Sequence, residues 1–436
     1  MGIVRHRGVS GGVGAVAARA AGSVQGQGAS VGRSFVGAQW HGVFLAVGTA
    51  LTDPSTIIAA FVVQLTGSTV WVGGLSMVLT LSQALPQLFV ARWIEPRPRK
   101  LPYLLMAIYL RVASWGALAW LIHAIGASNP QALVWALVGL LGLFYVGGGF
   151  AGIPYNDIIG KVIPENRRGA FFGGRQALAA PLALGAALLT QRVLPSVPYP
   201  DNYALLFGMA AGSLFVASLG FLIVREPPRP GPVGRTPSWR AYATQLRGAF
   251  RGLRPLVVVQ LLTGFSLMAL PFYVVYARQV LGAPTSAIGW FMMLQVFGGM
   301  LANLLWARLV DRHGSKPMLF VCATLSTLTP VLAVALSSLG WMGLLPVFFL
   351  AGATSNGRNV GFNSALLKLS PAAERPTYTA LDTVLILPLA FLPLIAGLLL
   401  LGWSYPTLFL IVAAFVASGA LLARRLPERG ERLAAV

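Results

Sequence analysis

Residues 308–316 read RLVDRHGSK, an acid- and base-rich stretch that lies between two long apolar runs. A degraded copy lies 216 positions earlier, where ARWIE at residues 91–95 matches ARLVD at residues 307–311. Ahead of the two copies, Val72 and Gly73 match Ile288 and Gly289 at the same offset. A duplicated membrane protein is the simplest interpretation of this repeat.

A second repeat, at an offset of 207 residues, runs through the next part of each half. Identities between apolar helices arise easily because such helices use few residue types. Matches at polar residues and prolines of interhelical loops are harder to obtain by coincidence, which is the alternative. The matched pairs are Asn156 with Asn363, Lys161 with Lys368, Pro164 with Pro371 and Arg168 with Arg375.

The composition places the chain in a bilayer. Hydrophobic residues make up 56% of the chain and charged residues 10%, and the mean hydropathy is +0.74; soluble domains carry about 25% charged residues. A hydrocarbon core takes about 20 apolar residues per helix, so the chain has room for about twelve helices, and the runs lack the alternation of barrel strands. We predict an all-α integral membrane protein with twelve transmembrane helices in two pseudo-symmetric six-helix bundles.

Six apolar spans are predicted in each half. Those of the first half are 42–65, 72–91, 101–125, 132–153, 171–194 and 203–224, and those of the second are 256–280, 287–310, 318–339, 343–366, 377–401 and 405–422. The predicted domains are a disordered cytoplasmic tail (1–36), an N-terminal bundle (37–224), a basic cytoplasmic linker (225–255), a C-terminal bundle (256–424) and a cytoplasmic tail (425–436).

The distribution of Lys and Arg predicts the orientation in the membrane. Apart from Arg111, Arg192, Arg278 and Arg358, every Lys and Arg lies in the tails, the central linker or the even-to-odd loops with their adjoining span ends. Positive residues are retained on the cytoplasmic side, so both termini are predicted to be cytoplasmic, in a bacterial inner membrane. Anionic headgroups are the expected partner of the net charge of +21. Nucleic acid is not expected as a partner, and a monomer is.

The composition of two segments outside the predicted spans indicates what each segment does. The first 36 residues are interpreted as a genuine tail, with an organellar transit peptide or a misassigned start as alternatives. Within the linker, the stretch from Trp239 to Phe250 combines Arg with apolar residues at helical spacing. It is predicted to be an amphipathic helix on the inner leaflet.

The stretch Ala307-x-x-x-Asp311-Arg312-x-Gly314-x-Lys316, between spans eight and nine of a six-plus-six chain, resembles the signature of the major facilitator superfamily. The signature reads Gly-x-x-x-Asp-Arg/Lys-x-Gly-x-Arg/Lys, so this chain departs from it at Ala307. The corresponding first-half loop is poorer, with Glu95 in place of the Asp. The resemblance implies a secondary transporter that works by alternating access.

The resemblance also implies a cytoplasmic gate. Each of the two loops is expected to dock against the other half when the cytoplasmic side is closed, because a carboxylate is stabilised near the unpaired amides of a helix N-terminus. The expected gate residues are Asp311, Arg312, Lys316 and Arg168 on one side, and Glu95 and Arg375 on the other. The alternative is that the loops only set the topology.

Charged side chains within spans are the second functional signal, since one at the bilayer centre costs about 2.5 to 3.5 kcal/mol on insertion scales. Asp53, Arg111 and Arg358 are the deepest, and Arg358 lies in a polar run with Asn356 and Asn359. These five are predicted to bind substrate or ion, with a structural buried ion pair as the alternative. Pro54 after Asp53 predicts a break in span one.

A further set of charges lies nearer the cytoplasmic ends. Asp157 and Arg175 lie on spans four and five, and Arg358 and Asp382 lie on spans ten and eleven. Acid and base thus lie on neighbouring helices with reversed polarity in the two halves. We predict inter-helix charge pairs here, as salt bridges of the gate or bundle, with substrate binding as the alternative and a role in coupling left open.

Other chemistry finds little support in the sequence. No His lies at metal-ligand spacing from Cys or Glu, and no phosphate-binding loop follows a strand, so no metal, cofactor or enzymatic activity is expected. The predicted function is proton-coupled transport of a small organic solute. Ala180-Pro181-x-x-x-Gly185 weakly favours export. The alternatives are an uptake permease for an organic anion and a non-transporting receptor or scaffold on the same fold.

Asp53 is the only acid predicted at mid-membrane depth. The hypothesis from the sequence is that Asp53 links proton binding to substrate binding, while Arg111 and Arg358 hold an anionic or polar group of the solute.

Overall fold

The computed structural model describes residues 32–94, 97–126, 128–164, 167–227, 239–370 and 375–426. Twelve helices within these residues are long and apolar enough to cross a membrane, which confirms the predicted fold class. Those of the first half are α1 Gly32–Thr66, α2 Thr69–Ile94, α3 Leu101–Ile125, α4 Pro130–Val162, α5 Arg168–Ser196 and α6 Asp201–Leu222.

The second half has three interrupted spans. Helix α7 runs as Trp239–Gly264, Ser266–Ala269 and Phe272–Gln279, and α11 runs as Arg375–Ile386, the 3₁₀ segment Leu387–Phe391 and Leu392–Leu399. Helix α10, Leu345–Leu369, follows the 3₁₀ segment Ser337–Leu344. The unbroken spans are α8 Ala287–His313, α9 Ser315–Ala335 and α12 Tyr405–Ala423.

Two span predictions are wrong at their ends. Span one begins at Gly32 rather than at residue 42, because the start of α1 packs against the end of α6. A Cβ on Gly220 would meet the Gly37 carbonyl oxygen, so the backbones touch there. Span four continues to Val162 rather than to residue 153, and its added turns carry charges that are paired within the protein. The linker helix begins at Trp239, as predicted, but continues directly into span seven.

Each half is held together by stacked aromatic rings and close glycine contacts. Trp115 stacks on Phe144 at 3.9 Å between α3 and α4, and Phe291 stacks on Phe348 at 4.2 Å between α8 and α10. Glycines allow the α8 and α10 backbones to approach closely, which is how membrane helices gain packing energy without a hydrophobic driving force. A Cβ on Gly352 would meet the carbonyl oxygen of Gln295.

Two membrane faces are distinguished by the chain direction. The face where odd-numbered helices begin and even-numbered helices end carries most of the basic residues, and we refer to it as the basic face. The other is the opposite face. Gly314 forms the α8–α9 turn at the basic face with φ 85° and ψ 179°, a conformation that only glycine adopts readily.

Candidate transport cavity

A cavity of about 750 Å³ lies between the two halves. The first half contributes polar residues of α2, namely Ser76, Thr80, Gln83 and Gln87. The second half contributes Gln260 of α7 together with residues of α10 and α11, among them Arg358, Asn359, Asn363, Asp382 and Thr383. Its lining reaches Gln87 and Leu366, near the basic-face ends of α2 and α10.

Toward the opposite face, the two halves close on each other through glycines. A Cβ on Gly289 of α8 would lie 2.5 Å from Cα of Gln191 on α5, and one on Gly397 would lie 2.5 Å from the Thr69 carbonyl oxygen. A Cβ on Gly73 of α2 would meet the carbonyl oxygen of Pro393 on α11. The cavity is therefore sealed at the opposite face and extends toward the basic face.

The seal has the symmetry of the sequence repeat. Gly73 and Gly289 occupy equivalent positions in the repeat, and each lies where one half meets the other, α2 on α11 in one case and α8 on α5 in the other. A hydrogen bond of 2.9 Å from Thr69 Oγ1 to the Gly397 carbonyl oxygen adds to the first contact. The two contacts together form the opposite-face seal.

Asp53 marks the break in α1 that Pro54 predicts. Its backbone is extended, at φ −59° and ψ 126°, and its side chain caps the helical segment that follows. Oδ1 accepts the backbone N–H groups of Ser55 and Thr56, both at 3.0 Å, and lies 2.6 and 2.9 Å from their hydroxyl oxygens. Such capping satisfies amides that the helix itself leaves unpaired.

The second carboxylate oxygen of Asp53 faces the other half. Gln295 of α8 donates from Nε2 to Asp53 Oδ2 at 3.3 Å and to Ser55 Oγ at 3.0 Å. A polar contact between the halves therefore lies at the α1 break, beside the cavity wall formed by Pro54 and Ser55.

Asp53, Arg111 and Arg358 are all described in the structure and were predicted to bind substrate or ion. Asp53 forms no salt bridge with either arginine. The reason is that its carboxylate turns back onto its own helix. Arg111 lies outside the cavity lining, with its guanidinium 4.3 Å from the Phe144 ring centroid and its Nε buried without a hydrogen-bond partner.

Arg358 does line the cavity, held against α7. Its Nη1 donates to Thr263 Oγ1 at 2.6 Å, and its Nη2 lies 3.5 Å from the Gln260 carbonyl oxygen. Asn359 also lines the cavity and is exposed to it. Asn356 instead packs against α8, where a Cβ on Gly299 would lie 2.5 Å from its Nδ2.

The predicted direct charge pairs do not form. Asp382 accepts a hydrogen bond of 3.4 Å from Gln260 Nε2 rather than an Arg358 donor, because Gln260 lies between the two. Arg175 donates to the Tyr155 hydroxyl at 2.8 Å rather than to Asp157. Asp157 instead forms salt bridges with Lys100 at 3.0 Å and with Lys161, one helical turn on, at 2.6 Å.

These lysines belong to an ionic cluster that sequence reasoning missed. Glu226 Oε2 accepts the backbone N–H groups of Lys100 and Leu101 at 2.7 and 2.8 Å and so caps α3 from beyond the end of α6. Its Oε1 accepts from Lys161 at 2.8 Å. The Lys161 and Glu226 side chains are only 6% and 2% exposed, so their pairing offsets the cost of burying both charges. The cluster ties α3, α4 and the end of α6 together at the basic face.

Asp311 and Arg168, two of the predicted gate residues that the structure describes, form no salt bridge with each other. Asp311 and Arg312 are exposed, and Asp311 has no hydrogen bond or ion pair within the described ranges. Arg168 donates to the Gly160 carbonyl oxygen in its own half at 3.2 Å. Lys316 is half-buried. Glu95 and the side chain of Arg375 lie outside the described residues. An open basic face requires that the Asp311–Arg168 contact be absent.

No group of three or more His, Cys, Asp or Glu that might hold a metal is present among the residues that the structure describes.

Comparisons with known proteins show which family and which solved structures the chain resembles. The family model of the Major Facilitator Superfamily matches residues 256–435. No curated protein sequence matches the chain. Among solved structures, the nucleoside transporter NupG (D323A mutant) is similar with a TM-score of 0.69 and 12% identity, over 90% of this chain and 98% of that one.

Two further similar structures are inward-oriented transporters. A bacterial homologue of the iron transporter ferroportin in an inward-facing state has a TM-score of 0.67 and 14% identity, over 90% of this chain and 98% of that one. The inward open conformation of the xylose transporter XylE from E. coli has a TM-score of 0.65 and 15% identity, over 93% and 98%. At such identities the likeness establishes the fold.

The matched family model is that of facilitators, and the similar structures are transporters. Residues 256–435 match the family model, a repeat relates the first half to the second, and the similar transporter structures align with 90% to 93% of this chain. Residues 256–435 therefore match the Major Facilitator Superfamily, and the likeness to solved transporter structures shows that the chain has their fold.

Proposed function

We propose that the protein is a proton-coupled secondary transporter that moves a small organic solute across a bacterial inner membrane by alternating access. The observation that carries the proposal is the cavity between the halves, which is sealed by glycine contacts at one face and extends toward the other. A volume of about 750 Å³ falls within the range of small-molecule sites, about 300 to 1,000 Å³.

The basic face is assigned to the cytoplasm in this proposal. Short cytoplasmic loops retain Lys and Arg, and this face carries nearly all of them. Both termini then lie in the cytoplasm, anionic headgroups interact with the basic face, and the structure corresponds to a cytoplasm-open state. The protein is expected to work as a monomer, because one chain supplies both walls of the cavity.

Asp53 is proposed as the residue that couples proton binding to transport, because its two carboxylate oxygens have different surroundings. Oδ1 is surrounded by the amide and hydroxyl groups of Ser55 and Thr56, whereas Oδ2 has Gln295 as its hydrogen-bond donor among the described residues. A proton on Oδ2 changes that oxygen from an acceptor into a donor. Gln295 must then present Oε1 in place of Nε2, so protonation rearranges a contact between the halves.

Accessibility of the cavity from both membrane faces tests the proposal. In a Cys322→Ala background, Ser76→Cys places a thiol in the cavity, Ser128→Cys places one in the opposite-face loop, and Arg425→Cys places one at the basic face. An impermeant thiol reagent should label Ser128→Cys in intact cells only and Arg425→Cys in everted vesicles only. Ser76→Cys should react in both preparations.

A receptor or scaffold that stays in one state predicts a different result, namely reaction of Ser76→Cys in everted vesicles alone. Labelling of Arg425→Cys in intact cells would instead overturn the orientation. The direction proposed is export, which the motif around Pro181 favours. Everted vesicles with an acidified lumen should then accumulate the solute, whereas an uptake permease would not.

A further inference from the structure

Two opposite charges lie on the same wall of the cavity without neutralising each other. Arg358 of α10 and Asp382 of α11 are the charged residues of the cavity lining within the part of the chain that the structure describes. Gln260 of α7 lies between them, with its carbonyl oxygen at Arg358 Nη2 and its side-chain amide at Asp382 Oδ2. No salt bridge joins the two charges.

Each charge retains unused hydrogen-bonding capacity. Arg358 donates one hydrogen bond to Thr263 and makes one long contact with Gln260, whereas a guanidinium has five N–H donors. Asp382 is 9% exposed, and its Oδ1 is buried without a hydrogen-bond partner. Buried charges and buried carboxylate oxygens are normally paired. Among the described residues neither group has a charged counterpart, although the Arg358 guanidinium lies 5.3 Å from the Phe362 ring centroid.

The facing wall supplies no counter-charge. The first-half residues that line the cavity, such as Ser76, Thr80, Gln83 and Gln87, are neutral. The cavity lining also includes apolar side chains, among them Leu267 and Phe362. The cavity thus presents one cation, one anion and an apolar surface to a solute.

We propose that the transported solute is a small zwitterion. Its carboxylate binds the Arg358 guanidinium, whose planar array of donors matches a carboxylate. Its protonated amine donates to the Asp382 carboxylate, and the hydrocarbon between the two groups lies against Leu267 and Phe362. Gln260 is a positioning residue that holds the two charges apart. This inference rests on the proposed transport function and adds the substrate class to it.

A matched ligand series tests the inference on the purified full-length protein. The probes are linear ω-amino acids from glycine to 6-aminohexanoate, each paired with the alkanoic acid and the alkylamine of the same chain length. At saturating concentration, at least one amino acid should raise the Tm by about 3 °C or more, while its acid and its amine have a smaller effect.

Variants of Arg358 and Asp382 distinguish a role in solute binding from a structural role. Arg358→Gln and Asp382→Asn should each abolish the Tm shift caused by the amino acid, and Arg358→Lys should retain part of it because the charge remains. The controls Arg192→Gln and Asp201→Asn remove charges near the opposite face, outside the cavity lining, and should retain the full shift. If Arg358 and Asp382 serve only the fold, their variants lower the Tm of the free protein but keep the ligand shift.

Three results would overturn the zwitterion site. They are an equal shift from the acid or the amine alone, a shift that survives in Arg358→Gln or Asp382→Asn, and the absence of a shift from the whole series. None of these affects the labelling of Ser76→Cys from both faces. Failure of the substrate class is therefore distinguishable from failure of the transport function.

Discussion

An Asp53→Asn carrier should lose gradient-driven accumulation of any solute that the parent accumulates, while solute exchange continues. Asn retains Oδ1 as the acceptor for the Ser55 and Thr56 amides, so the α1 cap is preserved. It places an amide donor where Oδ2 faces Gln295, and thereby resembles the protonated acid permanently. Exchange does not require the coupling proton to leave, whereas net accumulation does.

The measurement compares uptake in proteoliposomes with an imposed pH gradient. One coupled proton supports about tenfold accumulation per pH unit, so a gradient of two units should give about a hundredfold ratio for the parent and a ratio near one for Asp53→Asn. Asp201→Asn, near the opposite face, serves as the control. Accumulation by Asp53→Asn equal to that of the parent would transfer the coupling role to another carboxylate, first of all Asp382, since two lysines already hold Asp157.

The second large effect is expected at the opposite-face seal. Gly289→Ala places a Cβ 2.5 Å from Cα and Cβ of Gln191, so the halves must separate there. Overpacking of this kind costs about 1 to 3 kcal/mol, and the cost applies to the sealed state alone. The equilibrium should therefore shift about 5- to 150-fold toward the state that is open at the opposite face.

Reaction rates of Ser76→Cys report this shift. In Gly289→Ala the rate should rise from outside intact cells and fall in everted vesicles. Gly73→Ala should act in the same direction, because it lies at the equivalent contact of α2 with α11. Gly212→Ala on α6 is the matched control, since a Cβ there meets nothing within 4 Å. Unchanged rates in both seal variants would show that these contacts do not hold the opposite face closed.

The fold was predictable because its main determinants are local in sequence. Apolar length predicts the twelve spans, Pro54 predicts the break in α1, and the repeat aligns Gly73 with Gly289, which then occupy equivalent contacts. The start of α1 at Gly32 was not predictable from apolar length, because it depends on packing against α6.

The site was only partly predictable, because partners of buried charges are set by helix rotation and by distant segments. Spacing along the chain placed Asp157 near Arg175, but Glu226, which lies 65 residues beyond Lys161, brings the lysines into the cluster instead. Likewise Arg358 and Asp382 lie on neighbouring helices, as expected, yet Gln260 separates them. A glutamate directly after a span, beside a basic loop end, was the available signal for the cluster.

The central claim is that the two halves move in opposition and that Asp53 links this movement to protons. Spin labels at Gly160 and Leu367, near the basic-face ends of α4 and α10, report one face, and labels at Ser128 and Leu339 report the other. In the structure, which is open at the basic face, Gln295 donates to Asp53 Oδ2.

Pulsed electron-spin distance measurements on these two pairs, in the Cys322→Ala background between pH 8 and pH 5, test that claim most directly. Acidification should shorten the distance at the basic face and lengthen the distance at the opposite face in the same proportion of molecules. The Asp53→Asn variant should show the low-pH distribution at both pH values. Distances that stay fixed at both faces, or that change at one face alone, would contradict alternating access coupled through Asp53.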